Sequence, residues 1–242
     1  MRFEVIYKEE TVSTNADLKE LAKNGAPIGT AVVAERQSGG RGRLGRSFSS
    51  ERGGLYMSLL LPLDDTESVG LMTTFAAVAT ARAIERLADV DVKIKWVNDL
   101  LVGSKKICGI LAEGVMRPEG NCAVLGIGVN LTGKLSDELK EIAATVFDAC
   151  GQALEPKALT DEIFAEFSDF SAHKCGAHLD EYRHRCITLG KNITVIPHSA
   201  PTYSAKALKI TEGGGLLVKR DDNGEETELC SGEVSVRPTE EI

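Results

Sequence analysis

No C-x-x-C pair occurs in the sequence. Its six cysteines, Cys108, Cys122, Cys150, Cys175, Cys186 and Cys230, are scattered. That argues against a zinc knuckle or a disulfide framework and leaves most of them as buried thiols acting as small hydrophobes. No apolar run approaches the roughly 18 residues that a membrane span needs, and the opening Met-Arg-Phe-Glu-Val-Ile-Tyr lacks a signal-peptide core, so the expected compartment is the cytoplasm. A basic excess is also missing. Lys and Arg number 28 against 36 Asp and Glu, a net charge of -8, and aromatics are not interleaved with the basic residues. Both points argue against a nucleic-acid binder. The four histidines, His173, His178, His184 and His198, show no spacing that would pair with a carboxylate cluster, so no protein-bound metal is expected. No Ser/His/Asp or Cys/His constellation stands out, which turns attention away from a protein nucleophile. What remains is a chain of 242 residues, 43% hydrophobic, long enough for one substantial core and a small satellite domain.

Against that acidic background, Gln37-Ser-Gly-Gly-Arg-Gly-Arg-Leu-Gly-Arg46 packs four glycines and three arginines into Gly39–Arg46. Glycine allows close backbone approach, and each guanidinium offers a planar fork of donors matched to phosphate or carboxylate. The pattern reads as a cradle for a phosphorylated or carboxylated small molecule. With few apolar side chains to hold it down, the segment is expected to be mobile when empty and to order over its ligand. A disordered basic linker is the alternative, opposed by the strand-like segments that flank it.

Along the chain, Phe3 to Tyr7 is β-prone. A helix begins at Thr14, which can cap it, with Leu18, Leu21 and Ala22 as its apolar stripe, and Gly25 ends it. Thr30 to Ala34 and Leu55 to Leu61 read as the strands on either side of the arginine loop. Val69 to Ala88 carries helical apolar spacing. Strands are expected at Val92 to Trp96, Leu100 to Val102, Lys106 to Glu113 and Cys122 to Leu131. The last of these ends in Gly126-Ile-Gly-Val-Asn130, whose small residues allow close approach of a ligand or a neighbouring strand. Pro156 opens a helix with Leu159, Ile163, Phe167 and Phe170 on one face. Near Leu189-Gly190 the texture changes to short alternating segments, Ile193 to Ile196, Tyr203 to Ile210, Leu216 to Lys219 and Glu233 to Arg237. Gly213-Gly-Gly and Asp221-Asp-Asn-Gly turns lie between them, the pattern of a small β-barrel.

Two further segments follow the loop: Lys95-Trp-Val-Asn-Asp-Leu100, and Lys105-Lys-Ile-Cys-Gly-Ile-Leu111. Together with Ser13-Thr14-Asn15, the set resembles the biotin protein ligases, enzymes that attach biotin to a carrier-protein lysine. The resemblance runs from about Phe3 to Arg237. Val97 stands where that family generally has proline, and Phe48 where it generally has tryptophan. The resemblance implies an α+β fold: a mixed, largely antiparallel sheet with flanking helices, class II synthetase-like, in a catalytic domain over residues 1–188. A C-terminal SH3-like barrel would follow over 189–242. No helix-turn-helix segment precedes Phe3, so the DNA-binding repressor domain of some family members is not expected.

The implied substrates are biotin and ATP, with Mg2+ accompanying ATP, and the implied protein partner is a biotin carboxyl carrier domain of a carboxylase. Ser13, Thr14, Asn15 and Gln37 would line the biotin site, with Gly40, Arg41, Gly42 and Arg43 closing over it. Lys106 would bridge biotin's carboxylate and the α-phosphate. Arg43, Arg46, Asn98, Asp99 and Asn130 would face ATP, Arg43 and Lys106 being the catalytic pair. Other readings stay open: Ser13-Thr14 also fits a helix cap, Asn98-Asp99 an ordinary turn, Lys105 a solvated hairpin rim, and Trp96 core packing. A lipoyl ligase or a non-catalytic vitamin-binding module would show many of the same features. Homodimers are frequent in the family, and the Cys122–Leu131 strand is the candidate edge, although periodicity does not distinguish a packed edge from a paired one.

Overall fold

The computed structural model describes residues 1–63, 68–168, 170, 176–197, 200–230 and 234–238, with the backbone alone for 68 and 234–238. His173, Cys175, His198 and Glu233 lie outside the described residues. The strands of the first sheet are β1 (Glu4–Lys8), β2 (Thr30–Ala34), β3 (Gly54–Pro62), β4 (Val92–Lys95), β5 (Asp99–Val102), β6 (Lys105–Val115) and β7 (Cys122–Asn130). They are ordered β1-β2-β3-β7-β6-β5-β4. The β1–β2 pair is parallel and the others antiparallel. β7 therefore lies in the middle of the sheet, hydrogen-bonded on both sides. This corrects the expectation that Cys122–Leu131 forms an exposed edge, because a strand paired twice has no free backbone groups to offer a second chain.

The helices are α1 (Thr14–Lys23), α2 (Ser68–Leu87), α3 (Asp137–Lys140), α4 (Val146–Cys150), α5 (Pro156–Glu166) and α6 (Leu179–Arg185). Strand alternation divides the sheet into two faces. Leu55, Met57, Leu59 and Leu61 of β3, with Leu125, Ile127 and Val129 of β7, point to one face. There they join α2 residues Met72, Phe75, Ala76 and Ile84 and α5 residues Leu159 and Ile163 in the main core. The other face carries a smaller apolar cluster in which Leu18 and Ala22 of α1 cover Val32, Leu60 and Val124. Beyond that cluster the same face continues as Ser58, Tyr56, Gly126, Gly128 and Gly109, which cannot form a core. That half of the face is left for a site.

Helix α1 starts one residue earlier than the cap reading of Thr14 requires. Ser13 is the N-cap, its hydroxyl accepting from Ala16 N at 3.5 Å, and Thr14 is the first helical residue. Helix α5 stops at Glu166, although Phe167 and Phe170 stay buried against Phe75.

A second sheet, β11-β10-β9-β8-β12, is built from β8 (Asn192–Pro197), β9 (Tyr203–Ile210), β10 (Leu216–Arg220), β11 (Glu226–Leu229) and β12 (Val234–Pro238), all antiparallel. Its Ile193, Val195, Ala205 and Leu216 belong to the same core cluster as α2. The two sheets are clamped where the β9–β10 turn meets α2. A Cβ on Gly70 would lie 2.6 Å from Gly213 O, and the buried Trp96 indole N–H donates to Gly214 O at 3.1 Å. Gly70→Val is expected to lower stability by about 1–3 kcal/mol, because the obstructing atom is backbone and cannot swing aside. Thermal denaturation against wild type checks this, and an unshifted melting temperature would show the turn to be free to move.

Candidate active site

The arginine loop leaves β2 and crosses the glycine-bearing face before entering β3. It is tied down at several points. Gln37 N donates to Ser50 O (2.9 Å), Ser38 N to Thr11 O (2.9 Å), Gly39 N to Val12 O (2.9 Å) and Phe48 N to Gly40 O (2.9 Å). Gly40 is buried, and a Cβ there would sit 2.4 Å from both Phe48 O and Ser50 Oγ, so that position admits no larger residue without breaking the closure. Within the loop, Arg41 and Ser47 form an isolated bridge, and Arg43–Gly45 makes a single 3-10 turn. Leu44 is left-handed there, at φ 55, a conformation that costs a non-glycine residue about 1–2 kcal/mol.

Two clusters form beneath the loop. The first gathers charge. Asp99 opens β5, where register sets it opposite Gly109 of β6. Lys106 extends from the start of β6 and its Nζ lies 2.6 Å from Asp99 Oδ1. Arg43 reaches in from the loop, and its Nη1 donates to Asn98 Oδ1 at 3.3 Å. Asn98 is itself held to the sheet, its Nδ2 donating to Ile110 O at 2.7 Å. Burial pushes the Arg43 pKa down, and nearby Asp99 opposes that shift; a guanidinium stays charged regardless. The site thus directs two cations and one carboxylate at a single region. Below it, Cys108 is wholly buried and its thiol is pushed up by desolvation, which takes it out of consideration as a nucleophile. Tyr182 of α6 supports the same corner from behind, its hydroxyl donating to Val97 O at 3.0 Å.

The floor between the clusters is glycine. Across the sheet, Tyr56, Gly128, Gly109 and Asp99 stand in one row, and Ser58, Gly126 and Leu111 in the next. The Phe48 ring lies on this floor. A Cβ on Gly128 would come within 2.6 Å of it and one on Gly109 within 3.1 Å. Lys106 Nζ sits 5.6 Å from the Phe48 ring centroid, within cation–π range.

The second cluster is uncharged apart from one edge. Gln37 Oε1 accepts from Thr14 N (2.8 Å) and lies 3.1 Å from Thr14 Oγ1, while Gln37 Nε2 donates to Ser50 Oγ (2.9 Å). Ser58 Oγ, wholly buried, is 2.8 Å from Thr14 Oγ1 and 2.6 Å from Asn15 Oδ1. Asn15 Nδ2 donates to Glu113 Oε2 at 2.8 Å, and the other oxygen of Glu113 is paired with Lys19.

The structure therefore brings together Thr14, Asn15, Gln37 and Gly40 on one side, and Arg43, Asn98, Asp99 and Lys106 on the other. Ser13 is placed as a helix cap. Arg41 and Arg46 are exposed on the outer part of the loop, and Gly42 N donates to Arg46 O. Asn130 shares the face of Gly126 and Gly128, and its Nδ2 donates to Ala144 O at 3.3 Å. The segment carrying Ala144 runs beside Lys106. Asp99 is neither a turn cap nor a lone acid but the partner of Lys106. Lys105 stays on the hairpin rim, where its Nζ donates in exposed surroundings to Lys140 O and Glu141 O, both at 2.6 Å. Trp96 is core, as its indole already indicated.

Ser50, Ser58 and Glu113 escaped sequence reading, because a serine inside the apolar run Leu55–Leu61 and a glutamate near the end of a strand carry no signal until the strands are paired. The one available hint was polarity itself, a serine where burial on both faces demands a partner. A separate cleft of about 520 Å3 opens on the opposite face, between β1–β3 and the start of α5, and is lined in part by Tyr7, Val33, Leu55 and Pro156. It shares no lining residue with either cluster.

This arrangement has relatives. Residues 4–130, which hold the loop, both clusters and the glycine floor, match the model of the biotin/lipoate A/B protein ligase family. Bifunctional ligase/repressor BirA of Bacillus subtilis is 34% identical over 233 residues, covering 90% of this chain and 70% of the relative. Biotin–[acetyl-CoA-carboxylase] ligase of Paracoccus denitrificans is 32% identical over 239 residues, covering 88% of this chain and 93% of the relative. Among solved structures, biotin protein ligase from Aquifex aeolicus in complex with biotin and ATP superposes with a TM-score of 0.82 at 27% identity, covering 98% of this chain and 99% of that one. The two-sheet architecture is common to both. With a family model spanning more than half of the sequence and relatives aligned nearly end to end, the chain belongs to the biotin/lipoate A/B protein ligase family.

Proposed function

We propose that the chain is a biotin–[acetyl-CoA-carboxylase] ligase, which activates biotin with ATP and transfers it to a lysine of a biotin carboxyl carrier domain. The observation that carries this reading is the convergence of Arg43 and Lys106 on the Asn98–Asp99 corner beside a floor of glycines. The relatives named for this activity support it.

In the first step a carboxylate oxygen of biotin attacks the α-phosphorus of ATP. The P–O bond to the β-phosphate breaks, giving biotinyl-5'-AMP and pyrophosphate. Two anions must approach, and like unit charges 4 Å apart repel by about 4 kcal/mol at an effective dielectric near 20. Lys106 is assigned to the carboxylate and α-phosphoryl oxygens, where its charge is worth most as negative charge builds. Ion pairing with Asp99 keeps it aimed before substrate arrives. Asn98, Asp99 and Asn130 are assigned to the ATP side, with Arg46 at its outer edge; Asn98 or Asp99 would hold a Mg2+ accompanying ATP, which would offset the charge of the phosphates. In the second step the carrier's lysine amine attacks the acyl carbon and AMP leaves, the amine losing a proton. Neither step needs a nucleophile from this chain. Thr14 and Gln37 are assigned to the ureido ring, and Gly40 to Arg43 to the segment that seals the adenylate from water. Residues 1–188 are assigned the chemistry and 189–242 the accessory sheet.

Arg43→Ala is expected to release biotinyl-5'-AMP roughly tenfold faster, the scale of one charge-assisted hydrogen bond. A quench assay separating bound from free adenylate measures this, and unchanged release would remove Arg43 from the seal. The overall reading is tested by incubating a biotin carboxyl carrier domain with biotin, ATP and the protein and weighing the product. A gain of one biotinyl group is expected. No gain with biotin, or a gain with lipoate only, would overturn it.

A further inference from the structure

We propose that Glu113 is a positioning residue for biotin: acting through Asn15 and Ser58, it fixes the Thr14 hydroxyl as a hydrogen-bond acceptor toward the vitamin. The proposal rests on the reading of Thr14 as part of the biotin pocket.

A carboxylate and a backbone carbonyl only accept. Asn15 Nδ2 faces both, Glu113 Oε2 at 2.8 Å and Leu111 O at 3.4 Å. The amide therefore has a single orientation, NH2 toward β6 and Oδ1 toward Ser58. Ser58 has one proton to give. Its closest acceptor is Asn15 Oδ1 at 2.6 Å, and this use of the proton leaves the 2.8 Å contact to Thr14 Oγ1 without a donor from Ser58. Thr14 must supply it. Gln37 Oε1 accepts from Thr14 N at 2.8 Å and still has a lone pair facing Thr14 Oγ1 at 3.1 Å, but a proton sent there would leave the shorter 2.8 Å contact between Thr14 and Ser58 as two oxygens with no hydrogen between them.

Every dipole in the chain, Thr14 to Ser58 to Asn15 to Glu113, then points at one anion, whose charge strengthens each link. Lys19 of α1 holds that anion in place. With its proton turned inward, Thr14 has only lone pairs to offer a ligand. It accepts from an N–H and has nothing to donate, which suits the two N–H groups of biotin's cyclic urea and gives no purchase to a 1,2-dithiolane. Gly126 makes room for the arrangement: a Cβ there would fall 2.2 Å from Asn15 Oδ1.

The test is kinetic, on the full chain, reading biotin-dependent ATP–pyrophosphate exchange. Glu113→Ala is expected to raise the KM for biotin about tenfold, the scale of one lost hydrogen bond to an anion, with kcat at saturating biotin and the KM for ATP unchanged. Glu113→Gln keeps an acceptor oxygen facing Asn15 and is expected to recover most of the affinity. Ser58→Ala cuts the same chain one link nearer the ligand. It is expected to match Glu113→Ala, and the double variant should be no worse than Ser58→Ala alone, the non-additivity of residues acting in series. Ser58→Ala also reads the chain if Glu113→Ala does not fold. An unchanged biotin KM in a folded variant, effects that multiply in the double variant, or parallel losses in kcat and in ATP affinity would each overturn the proposal. A wild-type protein without biotin-dependent exchange would instead overturn the reading of the pocket.

Discussion

Lys106→Ala is expected to slow biotin-dependent ATP–pyrophosphate exchange by about 10²–10³-fold, the loss seen when one preorganised donor to developing negative charge is removed. The expectation starts from where the residue sits. Lys106 is the second residue of β6, paired with Leu101 on one side and bridged to Ala143 on the other, so its backbone is fixed. Its ammonium is steered by Asp99 at 2.6 Å and by the Phe48 ring. Removing it does two things at once. The carboxylate and the α-phosphate lose the charge that offsets their repulsion, and Asp99 is left as an anion facing two more. A second route to the same kcat is not evident, because Arg43 is engaged with Asn98 and on the proposed reading acts after the adenylate forms. Lys105→Ala is the control. That side chain ties the hairpin to the end of α3, so its loss should touch stability more than exchange. Wild-type exchange in the Lys106 variant would take the ammonium out of the chemistry.

The second large effect belongs to the floor. Gly126→Ala is expected to abolish measurable biotin affinity at micromolar ligand and to lower stability by about 1–3 kcal/mol, the usual cost of forcing an extra group into a packed site. The new methyl would lie 2.2 Å from Asn15 Oδ1 and 2.9 Å from Asn15 Cγ. Asn15 cannot yield cheaply, since Ser58, Glu113 and Leu111 hold its amide from three directions, so the start of α1 and Thr14 with it must move. Gly128→Ala meets the Phe48 ring instead, at 2.6 Å. A ring on a loop can tilt, so this variant should lose less stability while still obstructing the floor. Gly114→Ala, on β6, meets only a methyl of Leu63 at 3.7 Å, an ordinary contact, and should be neutral. Denaturant unfolding and calorimetry on the three variants check the ranking. Equal behaviour of Gly126→Ala and Gly114→Ala would mean that Asn15 is not held as described.

Much of this molecule was legible before it was folded, and the division has a physical basis. The limits of β2 and the long apolar period of α2 are local signals, because burial on a fixed face repeats every two residues in a strand and every 3.6 in a helix. Helices α3, α4 and α6, of four, five and seven residues, are too short to show a period. Strand β11, Glu-Thr-Glu-Leu, is too polar to resemble a strand until β10 pairs with it. The order of strands is non-local altogether, which is why β7 could be read as an edge when it lies at the centre. The same split runs through the site. The glycine-arginine loop and Lys106 announce themselves by composition and motif. Asp99 does not reveal its partner, since only the register of β5 against β6 sets it beside Lys106. Ser58 and Glu113 become visible only when α1 lands on the sheet, and the choice between Ser13 and Thr14 as the cap turns on a single residue of backbone geometry.

The clamp between the Trp96 indole and Gly214 O has a last implication for how the enzyme can be cut or rebuilt. Trp96 is two residues from Asn98, and its proton is received by a turn more than a hundred positions downstream. A version trimmed after Leu189 would remove the acceptor of that indole N–H and strip the cover from the start of α2. The short terminal sheet is thus a structural buttress for the Asn98–Asp99 corner, and a redesign that treats it as a detachable appendage would disturb that corner from behind.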